Sequence, residues 1–293
     1  MNKKNILLIF GFGYTAKFMC QNFPKKNWQV FCTTRFVEKI KEIKSLNATP
    51  IFFDDEKKIK SILNKDSYIL STAPPDEGKD PVIENYGYLF KKNSERIKWA
   101  GYLSTTSVYG DKKGGWVTED TVLEPNLERS ISRVAAEKCW LRLGEKLSIK
   151  TVVFRLAGIY GPGRSLIDRL RANERVYIVN KPAHLFNRIH VDDIVGAIEM
   201  AMSSRSKAKI FNLADDLPAT QLDVAQFATS LLKKNSLKTV SLKSEMVSEM
   251  ARSFYKEAKK VSNKKLKDEL GYKLVFPSFK EGLLAIHKGA KEF

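Results

Sequence analysis

The feature that most constrains this chain is a glycine-rich turn set between an apolar run and a helical stretch, Ile6-Leu7-Leu8-Ile9-Phe10-Gly11-Phe12-Gly13-Tyr14-Thr15-Ala16. A buried strand that ends in Gly-x-Gly-x-x-Ala and passes straight into a helix is built to hold a diphosphate. Gly11 permits the tight turn, Gly13 lets backbone N–H groups approach the anion, and Ala16 lets the helix lie close to the strand. The helix N-terminus adds a field that favours negative charge. Gly11, Phe12, Gly13, Tyr14, Thr15 and Ala16 are therefore the candidate cofactor-binding loop. Such a motif arises often by chance, and its setting between strand and helix gives it weight.

The rest of the first half repeats the same rhythm. Apolar runs at Asn5–Phe10, Gln29–Thr34, Pro50–Phe53, Ser67–Thr72, Ala100–Thr105 and Lys150–Leu156 alternate with helical segments, as βαβ units and a parallel sheet require. After Gly158 the pattern changes. Gly161, Pro162 and Gly163 interrupt it, and short extended pieces then mix with helices at Asp192–Ser203 and Leu222–Lys233. The expectation is an α/β chain with a Rossmann-type, doubly wound parallel sheet over residues 1–160, completed by later segments at about 185–215. A smaller C-terminal α/β lobe would occupy residues 161–293 and close over a cleft. Lys256–Glu269, with only Val261, Leu266 and Leu270 on an apolar stripe, reads as a surface helix or linker.

The end of the second strand bears on cofactor choice. An acidic side chain there would bond the ribose 2′-hydroxyl of NAD, but the chain reads Cys32-Thr33-Thr34-Arg35. Arg35 suits a 2′-phosphate, with Thr33 or Thr34 adding a hydroxyl, so NADP is expected over NAD; the alternative is a solvated arginine. Asp54, after the third strand, either contacts adenine or caps the helix that follows. Ser71-Thr72-Ala73-Pro74 closes the fourth strand with small residues, which either leave room for a cofactor or form an ordinary turn.

Composition narrows the functional classes. Lysine and arginine number 51 against 33 acidic residues, a formal charge of +18. A positive field concentrates polyanions, yet the lysines are spread over nearly every helix and no arginine-rich patch carries interleaved aromatics. Nucleic acid is thus not the expected partner; a basic surface or attraction of a phosphorylated ligand accounts for the charge. Cys20, Cys32 and Cys139 share no short spacing, and His184, His190 and His287 are the only histidines, so neither a disulfide framework nor a metal site is expected. Lys3 and Lys4 before Ile6–Phe10 superficially resemble a secretion signal, but the apolar run is too short. No segment approaches the ~18 apolar residues of a membrane span, which leaves a cytoplasmic protein with no membrane partner as the expectation. Gly-x-Ser-x-Gly is absent, so hydrolase chemistry of that type has no support.

Further runs follow in order along nearly the whole chain: Tyr102-Leu103-Ser104-Thr105-Thr106-Ser107-Val108-Tyr109-Gly110, Phe154-Arg155-Leu156-Ala157-Gly158-Ile159-Tyr160-Gly161-Pro162-Gly163, Arg188-Ile189-His190-Val191-Asp192-Asp193-Ile194, Phe211-Asn212-Leu213-Ala214-Asp215-Asp216, and Asn263 to Tyr272. With the glycine loop they resemble the short-chain dehydrogenase/reductase superfamily, in its atypical, extended branch, the NAD-dependent epimerase/dehydratase family. The resemblance implies that Thr105 polarises the substrate; a hydroxyl at a strand end equally serves to satisfy backbone groups. It also implies a Tyr-x-x-x-Lys pair on the next helix, and there this chain departs. Arg129 falls at the tyrosine position and Arg133 at the lysine position. A guanidinium stays charged and cannot exchange a proton as a phenol does.

Other Tyr-x-x-x-Lys pairs, at Tyr88, Tyr109, Tyr177 and Tyr255, lie off that helix and are read as accidental. Arg133 could still hold the nicotinamide ribose. His190 with Asp192 and Asp193 matches a structural hinge and helix start better than an acid/base unit. Two functions follow from the resemblance. In one, an oxidoreductase or epimerase/dehydratase-type enzyme uses Thr105, with Tyr160 or Arg129 orienting a polar, anionic or nucleotide-sugar-like small molecule, and Arg129 and Arg133 forming an anion clamp. In the other, the chain binds NADP(H) without catalysis, as a sensor or scaffold.

Overall fold

A computed structural model describes residues 4–289; Lys3 and the outermost ends of the two expected domains lie outside the described residues. A seven-stranded sheet forms the centre of the α/β fold. Its strands are β1 (Asn5–Phe10), β2 (Trp28–Thr34), β3 (Thr49–Phe52), β4 (Ser67–Ser71), β5 (Ile97–Thr105), Thr151–Leu156 and Ile210–Leu213. Their spatial order is Ile210–Leu213, Thr151–Leu156, β5, β4, β1, β2, β3. The order reverses next to β1, and the pairs β1–β2, β1–β4, β2–β3 and β4–β5 are parallel. This is the Rossmann-type, doubly wound arrangement, in which ligands meet the carboxyl ends of the strands at the reversal. β1 is held in place by burial. Leu7, Leu8, Ile9 and Phe10 are wholly buried, each worth roughly 1.5–3 kcal/mol.

Five helices follow these strands: α1 (Tyr14–Asn22), α2 (Lys39–Ser45), α3 (Glu56–Leu63), α4 (Pro81–Lys92) and α5 (Glu128–Leu147). α3 turns Ile59, Ile62 and Leu63 into the core. α4 starts at Asp80, whose carboxylate accepts from the N–H groups of Val82 and Ile83 at 3.0 Å, with Pro81 pre-set for the first turn. The same carboxylate accepts from Trp140 Nε1 on α5 at 3.0 Å. Burial raises its pKa, and these donors oppose the rise. β5 begins at Ile97, three residues before the apolar run that announces it; Lys98, exposed within this added stretch, donates from Nζ to the Glu95 carbonyl at 3.2 Å.

By packing, the chain divides into two units, each drawn from three stretches. One comprises residues up to Val108 with Asn126–Arg155 and Val195–Phe211; the other comprises Tyr109–Pro125, Leu156–Ile194 and the chain from Asn212 onward. The second unit holds three small parallel ladders: Gly158–Tyr160 with Arg188–His190, Ile178–Val179 with Thr239–Val240, and Trp116–Val117 with Lys260–Val261. Its core gathers Tyr160, Ile167, Val224, Phe279 and Leu283. The surface helix or linker expected over Lys256–Glu269 is instead the strand Lys260–Val261 and a short helix, Lys264–Asp268. Its three apolar residues suffice because each is almost fully buried: Val261 at 1%, Leu266 at 0% and Leu270 at 6% exposure.

Candidate functional site

The glycine loop is braced from both neighbouring strands. Gly11 takes φ +96°, and a Cβ there would lie 2.9 Å from Thr72 Oγ1 and 3.3 Å from the Ala73 nitrogen. Its N–H donates to Thr33 Oγ1 at 3.0 Å. The Thr72 hydroxyl, on the opposite side, lies 3.1 Å from the carbonyls of both Phe10 and Gly11. The Cys32 thiol adds a weak donation to the Gly11 carbonyl at 3.6 Å. Gly13 differs, because its φ of −94° suits any residue and a Cβ would meet nothing within 4 Å. Nothing among the described residues therefore requires glycine at 13, and the space it leaves lies where α1 begins without a side-chain cap. An uncapped helix start beside an open glycine suits a diphosphate. Thr15 and Ala16 are buried behind it, Phe12 is half-buried, and the Tyr14 ring packs on Phe18 at 5.1 Å.

Just past β2, Arg35 is exposed and its guanidinium sits 4.7 Å from the Phe53 ring centroid, a stacked cation. Thr34 is buried and fixes this exit, with Oγ1 accepting from the Phe36 N–H at 3.0 Å. The carboxylate that caps α3 belongs to Asp55, which accepts from the Lys58 N–H at 3.1 Å, whereas Asp54 is exposed. Ser71 is fully buried, and its hydroxyl has no hydrogen-bond partner among the described residues; Ala73 is half-buried and Pro74 exposed.

A second group of polar side chains lies where β5 meets α5. Thr105, half-buried at the strand end, accepts from the Ser107 N–H at 3.2 Å. Ser130, on the first turn of α5, is wholly buried and donates to Ser107 Oγ at 2.9 Å. One turn further, Arg133 reaches back to β5, donating from one guanidinium nitrogen to the Tyr102 hydroxyl at 3.1 Å and the Leu103 carbonyl at 2.8 Å. Burial holds the Tyr102 phenol well above its ordinary pKa, against the pull of Arg133. Arg129 is exposed. Glu137 anchors the helix: its carboxylate takes Arg155 at 2.8 Å and Ser104 Oγ at 2.5 Å, all three buried.

Tyr160 belongs to the second unit, where its hydroxyl donates to the Ser278 carbonyl at 3.3 Å. Burial, reinforced by the charge of Asp215, raises its pKa. His190 is packed against Phe276 at 4.0 Å, and its Nδ1 accepts from the Asp192 N–H at 3.2 Å; burial lowers its pKa to about 4. Asp193 accepts from the N–H groups of Val275 and Phe276 and from the Tyr272 hydroxyl. These contacts give His190 and Asp193 structural work at a helix start. Among the described residues, no group of three or more His, Cys, Asp or Glu side chains is placed to hold a metal ion, and no helix is long and apolar enough to cross a membrane.

Sequence reasoning singled out neither the Ser107–Ser130 pair nor the Glu137–Arg155–Ser104 anchor. Both join residues more than 17 positions apart, and no local spacing signals them. The bracing role of Thr72 is equally hidden, since Phe10 and Gly11 lie more than 60 positions away in the chain.

With this geometry in hand, the comparisons are consistent. Residues 89–214 match the NAD dependent epimerase/dehydratase family. A conserved protein of unknown function from Silicibacter pomeroyi DSS is 34% identical, with a TM-score of 0.89 over 99% of this chain and 100% of that one. Protein YeeZ of Escherichia coli (strain K12) is 24% identical over 241 residues, 76% of this chain and 82% of its own. UDP-glucuronic acid 4-epimerase from Bacillus cereus, solved with UDP-glucuronic acid and NAD, shares the fold at a TM-score of 0.74 and 19% identity over 97% of this chain and 98% of its own. A braced glycine loop at the sheet reversal, a hydroxyl-bearing turn after β5 and these matches together place the chain in the NAD dependent epimerase/dehydratase family.

Proposed function

We propose that the chain binds NADP(H) and acts as an atypical oxidoreductase or epimerase/dehydratase-type enzyme on a polar, nucleotide-sugar-like small molecule. The observation that carries this reading is the open glycine at 13 in front of the uncapped start of α1. Gly11, Phe12, Gly13, Tyr14, Thr15 and Ala16 would hold the diphosphate through backbone N–H groups. Arg35, with its guanidinium already stacked on Phe53, would pair with the 2′-phosphate, and Asp54 and the Ser71–Pro74 turn would line the adenine and ribose side. Bound NADP(H) supplies reversible hydride exchange. Thr105, with its oxygen already accepting from Ser107, keeps its hydrogen to polarise a substrate oxygen. Arg129 would orient an anionic group, while Arg133, committed to β5 through the Leu103 carbonyl, would hold the nicotinamide ribose. The accompanying proton comes from water or from the substrate, since neither arginine releases one. The UDP-glucuronic acid held by the Bacillus cereus epimerase supports a nucleotide sugar as the substrate class.

A second reading, a non-catalytic NADP(H)-binding sensor or scaffold, is favoured by one observation: Arg133 is engaged with β5, so the α5 face that should carry a proton donor carries a brace. Calorimetry with NADPH, NADP, NADH and NAD tests the shared premise; no binding of any of them ends both readings. Absorbance at the reduced-nicotinamide band, screened against nucleotide sugars and small aldehydes or ketones, separates the two. Turnover abolished by Thr105→Val supports the enzyme, and tight NADPH binding without turnover supports the sensor.

A further inference from the structure

We propose that a cleft at the amino ends of the strands Thr151–Leu156 and Ile210–Leu213 binds a small carboxylate with an apolar body, held by Lys150 and Lys207. The cleft has a volume of about 450 Å³, a size that takes a small organic ligand. Leu141 of α5, Ile149 and Ala208 supply apolar walls, together with the lysine stems. All of these residues belong to one packing unit. The glycine loop follows the carboxyl end of β1, so this ligand and the nucleotide would meet opposite ends of the sheet. Binding in the cleft therefore does not depend on a bound nucleotide.

The charge of the cleft selects an anion. Lys150 is half-buried, and its Nζ donates to the carbonyl of Ala201 at 3.0 Å and to that of Ser204. An ammonium has three hydrogens, so one remains to give. Both of its acceptors are neutral, and burial alone shifts its pKa, downward, as for a cation with no counter-charge beside it. Lys207 is exposed, with no hydrogen bond or ion pair among the described residues. Glu145, the acidic side chain in the lining, is already paired with Lys209 at 2.5 Å. Two cations thus border hydrocarbon walls without a counter-charge. A carboxylate with an apolar tail answers both features: its head takes the spare hydrogen of Lys150 and the charge of Lys207, and its tail displaces water from the walls. A bare phosphate leaves the walls wet, and a neutral alcohol leaves the cations unpaired.

The test is calorimetric titration of the full chain with octanoate, octanol and inorganic phosphate, for wild type, Lys150→Met, Lys207→Glu, Ala208→Trp and Gly13→Val. Octanoate should bind wild type at a single site, with octanol and phosphate about tenfold weaker or more. Lys150→Met, which keeps the stem and loses the charge, should weaken octanoate about tenfold, and Lys207→Glu about 5-fold. Ala208→Trp, which fills the cleft, should abolish binding. Gly13→Val, which alters only the nucleotide loop, should bind octanoate as wild type does. The proposal is overturned by wild type that takes up no octanoate, by equal affinity for octanol or for phosphate, or by lysine variants that both bind as tightly as wild type. Loss of octanoate binding in Gly13→Val also overturns it, by putting the ligand in the glycine loop. Should Lys150→Met or Ala208→Trp fail to fold, Lys207→Glu, made at an exposed position, and the octanol and phosphate titrations of wild type decide the matter.

Discussion

At Gly11 the protein itself demands glycine, since a Cβ would strike Thr72 in a left-handed backbone; at Gly13 the same residue type answers to no internal demand. The two positions therefore respond differently to substitution. Gly13→Val should leave the melting temperature within a few degrees of wild type while abolishing NADPH binding in calorimetry; retained binding would remove Gly13 from the site. Arg35→Asp replaces a stacked cation with a carboxylate where the 2′-phosphate would lie. Loss of one charge-assisted bond, about 1.5–3 kcal/mol, predicts NADPH affinity falling tenfold or more while NADH affinity changes little. An unchanged NADPH-to-NADH ratio would remove Arg35 from cofactor selection. The turn that carries Gly11 and Gly13 was legible in the sequence because strand, turn and helix succeed one another locally. What Thr33 and Thr72 do was not, since each reaches the loop from another strand, more than 20 and 60 positions away.

Among the elements, α5 is the least expected. The faces of α3 and α4 are apolar, but α5 buries Ser130, Ser132, Glu137 and Gly144 beside Ala136 and Trp140. Gly144 is needed for close approach, because a Cβ would fall 2.2 Å from Thr151 Oγ1. An apolar stripe thus announces α3, whereas α5 shows no such stripe, and only its resemblance to the family places it in the sequence. Its fixed point is Glu137, clamped by Arg155 and Ser104 in a buried network. Glu137→Gln takes the carboxylate charge out of its buried pair with Arg155, a loss of about 3–5 kcal/mol that chemical denaturation should register. Lys138→Ala, exposed on the same helix, should stay within about 0.5 kcal/mol. Equal effects would show that the network does not anchor the helix.

For the whole molecule, buried titrating groups set the response to pH. Burial raises the pKa of Asp215 to about 7, with the Leu217 N–H and the charge of Arg188 opposing the rise. Its native state therefore binds a proton more tightly than the unfolded chain does, and the stability this gives is present below about pH 4 and lost as pH climbs through about 7. His190, lowered to about 4, acts in the opposite sense: its contribution is present above about pH 6.5 and lost as pH falls through about 4. Asp215→Asn keeps an acceptor for the Leu217 N–H and cannot ionise. Its melting temperature relative to wild type should rise between pH 5 and pH 8, and a constant difference would deny that Asp215 is buried as a titrating acid. The alternating strands and helices made the sheet legible from its apolar runs. The second unit was less so, because its two-residue strands are held by contacts such as Lys259 Nζ on the Gly110 carbonyl, far apart in the chain. The interleaving of the two units has a consequence for how such a protein is made and varied. A nascent chain that has emerged only as far as residue 160 lacks Ile210–Leu213, and its outermost sheet strand still offers unpaired backbone groups to any neighbour. Neither unit is a contiguous stretch of chain, so recombination at a single boundary cannot move either one whole.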